Sequence, residues 1–289
     1  MSAGQPVEAT TIAWIDGRWG AAAELSLPLL DRGLLLADGL FETVLVQAGR
    51  PQLLEQHLER WSRSAAELAM APPPGQAALA PLIAEAIERA GLAGGSRCGA
   101  LRLNWSRGIA AGRGIDLPTG GPTEQAGTTP AHRFWLQLSP CTPLFSAQTA
   151  RISRQERRNA DSRLSRCKTF AYGQAIQARH EARLAGADDA LLLNGSGDLC
   201  CGTIANLLVR REGCWLTPPL SSGCLPGVMR GRALQLGLAR ETRLQPDAQT
   251  GDRWLLLNSL SARPLRALEG QPLEPLSAED AEAFWRRLL

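Results

Sequence analysis

The sequence predicts an α+β chain of two domains: a smaller N-terminal α/β domain over residues 1–139, a linker at 140–149, and a larger C-terminal domain over 150–289 with antiparallel strands and flanking helices. Three observations predict it. With 289 residues, 44% of them hydrophobic, the chain can bury one large or two medium cores. Strand-like runs broken by glycine turns alternate with runs of helical spacing in both halves. Between the halves lies SPCTPLFSAQ, with two prolines and little periodicity, which suits an interdomain linker.

In chain order, TIAWIDGRWG places Asp16-Gly17 between short apolar runs and predicts an opening hairpin. LPLLDRGLLLADG reads as a loop. LFETVLVQAGRPQLL gives two more strands about a glycine turn, with Phe41, Thr43 and Leu45 on one face and Glu42, Val44 and Val46 on the other. Leu54, Leu58, Trp61, Ala65 and Leu68 recur at helical spacing up to Met70, and APPPG ends that helix, so Arg60 lies on it. A second helix runs from Ala77 to Ala90, closed by Gly91. CGALRLNWSRG and AHRFWLQLSP read as strands on either side of a long glycine-rich loop, a kind that is usually functional or disordered.

The second half opens with a basic run, Arg151, Arg154, Arg157, Arg158, Arg163, Arg166 and Lys168. Such a run is either a solvated face or a seat for an acidic ligand. A helix follows from Tyr172 to Gly186, so Lys168 falls just before it or at its start. DDALLLNGSGDLCCGTIANLLVRREGCWLTPPL predicts an antiparallel meander of four strands. SSGCLPGVMRGRALQLGLAR turns at Pro226-Gly227 into a helix whose first turn carries Val228 and Met229, and the uncapped backbone amides there suit a phosphate. DRWLLLNSLSARPLRAL is a last strand pair with Asn258 and Ser259 at its turn, and AEDAEAFWRRLL a short terminal helix.

Composition excludes several functions. A net charge of +3 with a pI near 8.6 is too mild for a nucleic-acid surface. The start MSAGQPVEATT carries no signal-peptide pattern, and no run reaches the roughly 18 apolar residues of a membrane span. Seven cysteines without CxxC spacing argue for reduced thiols in a cytoplasm rather than a disulfide framework or zinc site. His57, His132 and His180 are scattered, and no metal is expected. The expected partner is a small molecule.

All but one of the 31 lysine-plus-arginine residues are arginine, and the exception is Lys168. Arginine keeps its proton and does not condense with carbonyls, whereas an amine near a helix N-terminus is favoured in its neutral, nucleophilic form. The only tyrosine, Tyr172, follows four residues on. One activatable lysine, a helix start able to cradle phosphate, and arginines such as Arg60 together suit a cofactor with an aldehyde and a phosphate, pyridoxal 5′-phosphate.

The segments DRGLLLADGLFET, HLERW, RLSRCKTFAYGQAIQARHEARLAGADDALLLN, CGTIANLLV and LTPPLSSGCLPGVMRG, in this order, resemble the class IV aminotransferase family, the fold-type IV pyridoxal phosphate enzymes. The resemblance runs from IDGRWG to RPL. It implies that Lys168 is the Schiff-base lysine and Arg60 a phosphate ligand. It further implies that Leu225 packs on the ring, that the Val228 and Met229 amides bind phosphate, and that Thr203, Ile204, Ala205 and Asn206 line the cofactor's edge. It also implies a homodimer. SRGIAAGRGI at 106–115 is similar to the SRG…RGY segment of the family's aminodeoxychorismate lyases, with Ile115 in place of the tyrosine. That branch releases pyruvate from 4-amino-4-deoxychorismate to give 4-aminobenzoate for folate synthesis. Branched-chain and D-amino-acid aminotransferases share the scaffold and stay as alternatives. Arg107, Arg113, Tyr172, Asn258 and Ser259 are the substrate candidates.

One departure matters. Cys201 stands where the family carries the glutamate that pairs with the pyridine nitrogen, five residues before Asn206. A thiol substitutes poorly for a carboxylate unless nearby positive charge holds it as a thiolate. This favours the lyase, whose product gains an aromatic ring, over transamination. It also admits a cofactor-binding protein with reduced or lost catalysis.

Overall fold

Asp16 and Gly17 both have positive φ, the conformation of a tight two-residue hairpin turn, and they join β1 (Ile12–Ile15) to β2 (Arg18–Ala21). The computed structural model describes residues 11–109, 114–117 and 132–289. By internal contacts the chain divides into one unit of Met1–Thr142 with Thr169–Ala171 and a second of Pro143–Lys168 with Tyr172–Leu289.

In the first unit, α1 (Arg32–Leu36) interrupts the leucine-rich stretch for which the sequence predicts only a loop. Asp31 caps it by accepting from the Gly33 N–H at 2.8 Å. Then come β3 (Gly39–Gln47), β4 (Arg50–Pro51), α2 (Leu54–Glu67), α3 (Gln76–Arg89), β5 (Cys98–Ser106) and β6 (Arg133–Cys141). The six strands form an antiparallel sheet in the order β2-β1-β6-β5-β3-β4. Val44, Val46, Leu101, Leu103, Leu136 and Leu138 are buried, and Trp61 of α2 is buried with them. Thr169 bridges to Leu40, and the Phe170 N–H donates to Gly39 O at 3.0 Å, so the residues just after Lys168 dock on β3. Gly39 has to be glycine here, because a Cβ on it would overlap the Phe170 ring.

In the second unit the basic run forms β7 (Gln148–Arg158), followed by a 3-10 turn at Arg163–Arg166 and α4 (Gly173–Leu184). The chain continues through β8 (Asp189–Asn194), β9 (Leu199–Gly202), β10 (Asn206–Arg211) and β11 (Cys214–Thr217). It ends with α5 (Val228–Gln235), β12 (Ala239–Glu241), β13 (Arg253–Asn258), β14 (Ser261–Leu268), β15 (Gln271–Pro272) and α6 (Ala278–Arg286). The nine strands follow the order β12-β11-β10-β13-β14-β7-β8-β9, with β15 beside β14. An additional β9–β10 pairing, Cys201 opposite Asn206, closes β10-β13-β14-β7-β8-β9 into a barrel. The sheet is not antiparallel throughout, since β7 runs parallel to β8 and to β14. The helix α4 between β7 and β8 supplies the long crossover that a parallel pair requires.

Alternation along these strands separates two packed layers. Leu191, Leu193, Leu199, Leu207, Val209, Trp254, Leu256 and Leu265 belong to one buried cluster. Ala190, Leu192, Cys200, Cys201 and Cys224 belong to another, together with Ala178 and Ala182 of α4. Cys201 is therefore part of the layer that α4 covers.

Candidate active site

In the second unit, Lys168 stands five residues ahead of α4, and Tyr172 occupies the position before its first turn. The Lys168 Nζ donates to Tyr172 Oη at 3.1 Å. The expectation that these two residues share one side holds, although a loop rather than a helical turn brings them together. Arg158, at the end of β7, fixes the surroundings. Its Nε donates to Gly223 O at 3.1 Å and its Nη2 to Ser165 O at 2.9 Å, tying the turn before Lys168 to the loop that leads into α5.

That loop is itself locked to β10. Asn206 Nδ2 donates to Leu225 O at 2.9 Å, and the Gly227 N–H donates to the same carbonyl at 2.8 Å. A Cβ on Gly227 would overlap Asn206 Oδ1, so only glycine permits this approach. No side chain caps α5, which leaves Val228 and Met229 as its first residues, with both side chains buried.

The turn between β9 and β10 carries the other cofactor-edge candidates. The Gly202 N–H donates to Ala205 O at 2.9 Å. Thr203 Oγ1 donates to Asp189 Oδ1 at 2.5 Å, and Asp189 in turn accepts from Arg179 Nε at 3.3 Å and Nη2 at 3.0 Å. Ile204 is exposed, and its carbonyl accepts from Asn258 Nδ2 at 3.4 Å. Asn258 Oδ1 also accepts from the Leu260 N–H at 2.8 Å, and Ser259 sits beside it in the β13–β14 turn. The second unit thus links Cys201, Thr203–Asn206, Leu225, the start of α5 and Asn258 to one another, and Arg158 ties their loop to the turn that precedes the Lys168–Tyr172 pair.

Cys201 is buried, and burial pushes its thiol up to about 12. Arg158 opposes the rise, while Cys224 and Asp189 add to it. The side chain is therefore a neutral thiol at physiological pH, because the loss of solvation outweighs the guanidinium that would favour a thiolate.

In the first unit, Arg60 lies on α2, where its Nε donates to Glu42 Oε1 at 2.8 Å and its Nη2 to Glu42 Oε2 at 2.5 Å. His57 Nδ1 lies 2.7 Å from the same Oε2. All three residues are buried. Burial alone would raise the Glu42 carboxyl, but Arg60 and His57 outweigh it and hold it down at about 2. Arg107 donates from Nε to Asp38 Oδ2 and from Nη1 and Nη2 to the carbonyls of Ala69 and Leu68, all at 2.8 Å. The structure thus places these donors on groups within its own unit. Arg113 lies outside the described residues.

Several site neighbours carry no signal in the sequence reading. Asp189 and Arg179 meet only once β8 and α4 are packed, and Arg158 is one arginine among many. Glu42 had a signal: it is the lone acid on a strand face otherwise made of valines.

Within the second unit lie a lysine amine beside a phenol and a helix start that a glycine lets close on Asn206; within the first lies a buried arginine held by a carboxylate. The model for amino-transferase class IV matches residues 39–268. The chain belongs to this family, whose enzymes use pyridoxal 5′-phosphate as cofactor. It is 25% identical to the aminodeoxychorismate lyase of Bacillus subtilis over 263 residues, covering 89% of this chain and 86% of that one. It is 26% identical over 226 residues to a protein of Methanocaldococcus jannaschii provisionally named a branched-chain-amino-acid aminotransferase, covering 77% of this chain and 73% of that one. A fold IV-transaminase from Curtobacterium pusillum superposes with a TM-score of 0.79 at 22% identity, covering 96% of this chain and 98% of that structure. Among the described residues no helix is long and apolar enough to cross a membrane, and no cluster of side chains forms a metal site.

Proposed function

We propose that the protein is a 4-amino-4-deoxychorismate lyase, giving 4-aminobenzoate and pyruvate, and that it works in the cytoplasm in folate synthesis. The observation that carries the choice within the family is Cys201: a buried, neutral thiol occupies the position expected to face the pyridine nitrogen. Pyridoxal 5′-phosphate, when bound, supplies an electron-accepting ring joined to the substrate amine. A neutral thiol does not hold the ring nitrogen protonated as a carboxylate does. The reaction that suffers least is one whose product is stabilised by becoming aromatic.

In this reading Lys168 Nζ binds the cofactor's aldehyde. Once free, it would take the proton from the carbon bearing the substrate's amine as the enolpyruvyl group departs, and that group, protonated by Lys168 or a water, would leave as pyruvate. Tyr172 Oη, at 3.1 Å, holds Nζ in place for that transfer. The amides of Val228 and Met229 would bind the phosphate; Arg60, whose guanidinium Glu42 holds within the first unit, stays as the further phosphate candidate that the family resemblance implies. Leu225 would pack on the ring, and the Thr203–Asn206 turn, held by Asp189 and Asn258, would line its edge. Ser259, Arg107 and Arg113 stay as candidates for the substrate's carboxylates. Leu29, Leu30, Leu34 and Leu35, all exposed on and before α1, supply apolar surface for the homodimer we propose.

The test is an assay offering 4-amino-4-deoxychorismate, branched-chain amino acids and D-alanine in parallel. The lyase reading expects pyruvate and 4-aminobenzoate in equal amounts from the first. Amino transfer from either of the others, without pyruvate release from the first, makes the protein an aminotransferase. Cofactor binding with no turnover makes it a binding protein.

A further inference from the structure

Outside the candidate site, two cysteines sit face to face. Cys98 opens β5 and Cys141 closes β6, and the register of this antiparallel pair places them directly opposite each other. Opposed residues of adjacent antiparallel strands point to the same side of the sheet, with Cα atoms about 4.5–5.5 Å apart, inside the range a disulfide spans. Their Cβ atoms start about 4.5–5.5 Å apart and have to close by roughly an ångström to reach disulfide geometry. The strand ends allow it. Pro140, exposed and opposite Gly99, has no N–H to give the ladder, so the final pair is held less tightly than the middle of the sheet. Both cysteines are thiols in this structure, and both are partly exposed rather than sealed in the core. The thiols also feel each other: Cys141 is pushed up to about 11, first by burial and then by the neighbouring Cys98.

We propose that Cys98 and Cys141 form a reversible cross-strand disulfide when the protein meets a low-molecular-weight disulfide such as oxidised glutathione. The Cys98 thiolate attacks one sulfur of the small disulfide, forming a mixed disulfide and expelling one small thiolate, which takes up a proton. Cys141, protonated at neutral pH, gives up its proton and attacks the Cys98 sulfur, expelling the second small thiol. Two protein thiols are oxidised, one small disulfide is reduced to two thiols, and no further oxidant is needed. The bond ties the ends of β5 and β6 and closes a loop of about forty residues, which restricts the unfolded chain.

The test uses the whole protein, incubated with oxidised glutathione and digested with trypsin without reduction. Cleavage after Arg97, Arg102, Arg133 and Arg151 isolates CGALR with Cys98 and FWLQLSPCTPLFSAQTAR with Cys141. The expected result is one species joining these two peptides, about two mass units below their sum, abolished by dithiothreitol and absent from Cys98→Ser and Cys141→Ser. Oxidation should also raise Tm by about 5 °C or more in wild type and in neither variant. Glutathione persisting on Cys98, a link from Cys98 to any other cysteine, or no reaction at either residue overturns the proposal.

Discussion

Replacing Glu42 with glutamine tests the buried charge cluster of the first unit. Glu42 is only 1% exposed and meets Arg60 through both carboxylate oxygens and His57 through one of them. Its carboxyl is held at about 2 in the folded protein against an ordinary value of 4.5. At about 1.4 kcal/mol per decade, that difference is worth about 3 kcal/mol. Removing one partner of a buried ion pair typically costs about 3–5 kcal/mol, which agrees. Because the folded value is depressed, the contribution is fully present above 4.5 and is lost as pH falls from 4.5 towards 2. Glu42→Gln should therefore be about 3 kcal/mol less stable than wild type at pH 7, and the gap should shrink to about half by pH 3. Urea denaturation of both proteins across this range, followed by tryptophan fluorescence, measures it. A gap that stays constant between pH 7 and pH 3 would refute the reasoning, because it would mean that Glu42 does not titrate differently in the folded and unfolded states.

Further outcomes follow from the second unit. Cys201, buried and with its thiol up at about 12, should react with iodoacetamide far more slowly than exposed Cys214 in the native protein, with a rate that is still climbing at about pH 9 and shows no plateau; mass spectrometry of quenched samples reads both. Gly227→Ala forces a Cβ into Asn206 and should weaken pyridoxal phosphate binding at least about tenfold and cost about 1–3 kcal/mol in thermal denaturation. Asp189→Asn removes the charge and one of the two carboxylate oxygens that accept from Thr203 and Arg179, sets an amide NH2 donor in its place, and should cost about 1–3 kcal/mol of stability.

Much of this architecture was legible because it rests on local rules. Asp16-Gly17 demanded a hairpin, the Leu54–Leu68 spacing demanded a helix, and Lys168 stood out by scarcity and amine chemistry alone. What the sequence hid depended on tertiary context. The strand β7 shows no apolar alternation because two of its buried positions are Gln148 and Ser153, the latter donating from Oγ to Glu181 at 2.6 Å. The helix α1 spans only five residues, too few for a periodic signal, and points leucines outward. The parallel pairing of β7 with β8 was hidden because nothing marked β7 as a strand. Arg179, Asp189 and Thr203 lie on three separate elements and meet only after folding. The neutrality of Cys201 could not be read either, since it depends on the balance between burial and Arg158.

Everything proposed for function turns on Lys168 Nζ carrying the cofactor, and its status as the only lysine makes that directly measurable. The protein is incubated with pyridoxal 5′-phosphate, reduced with borohydride and digested with trypsin. Cleavage after Lys168 should be blocked, and CKTFAYGQAIQAR should appear intact, carrying the reduced cofactor on Lys168. Normal cleavage after Lys168, with an unmodified TFAYGQAIQAR peptide in full yield, would contradict it.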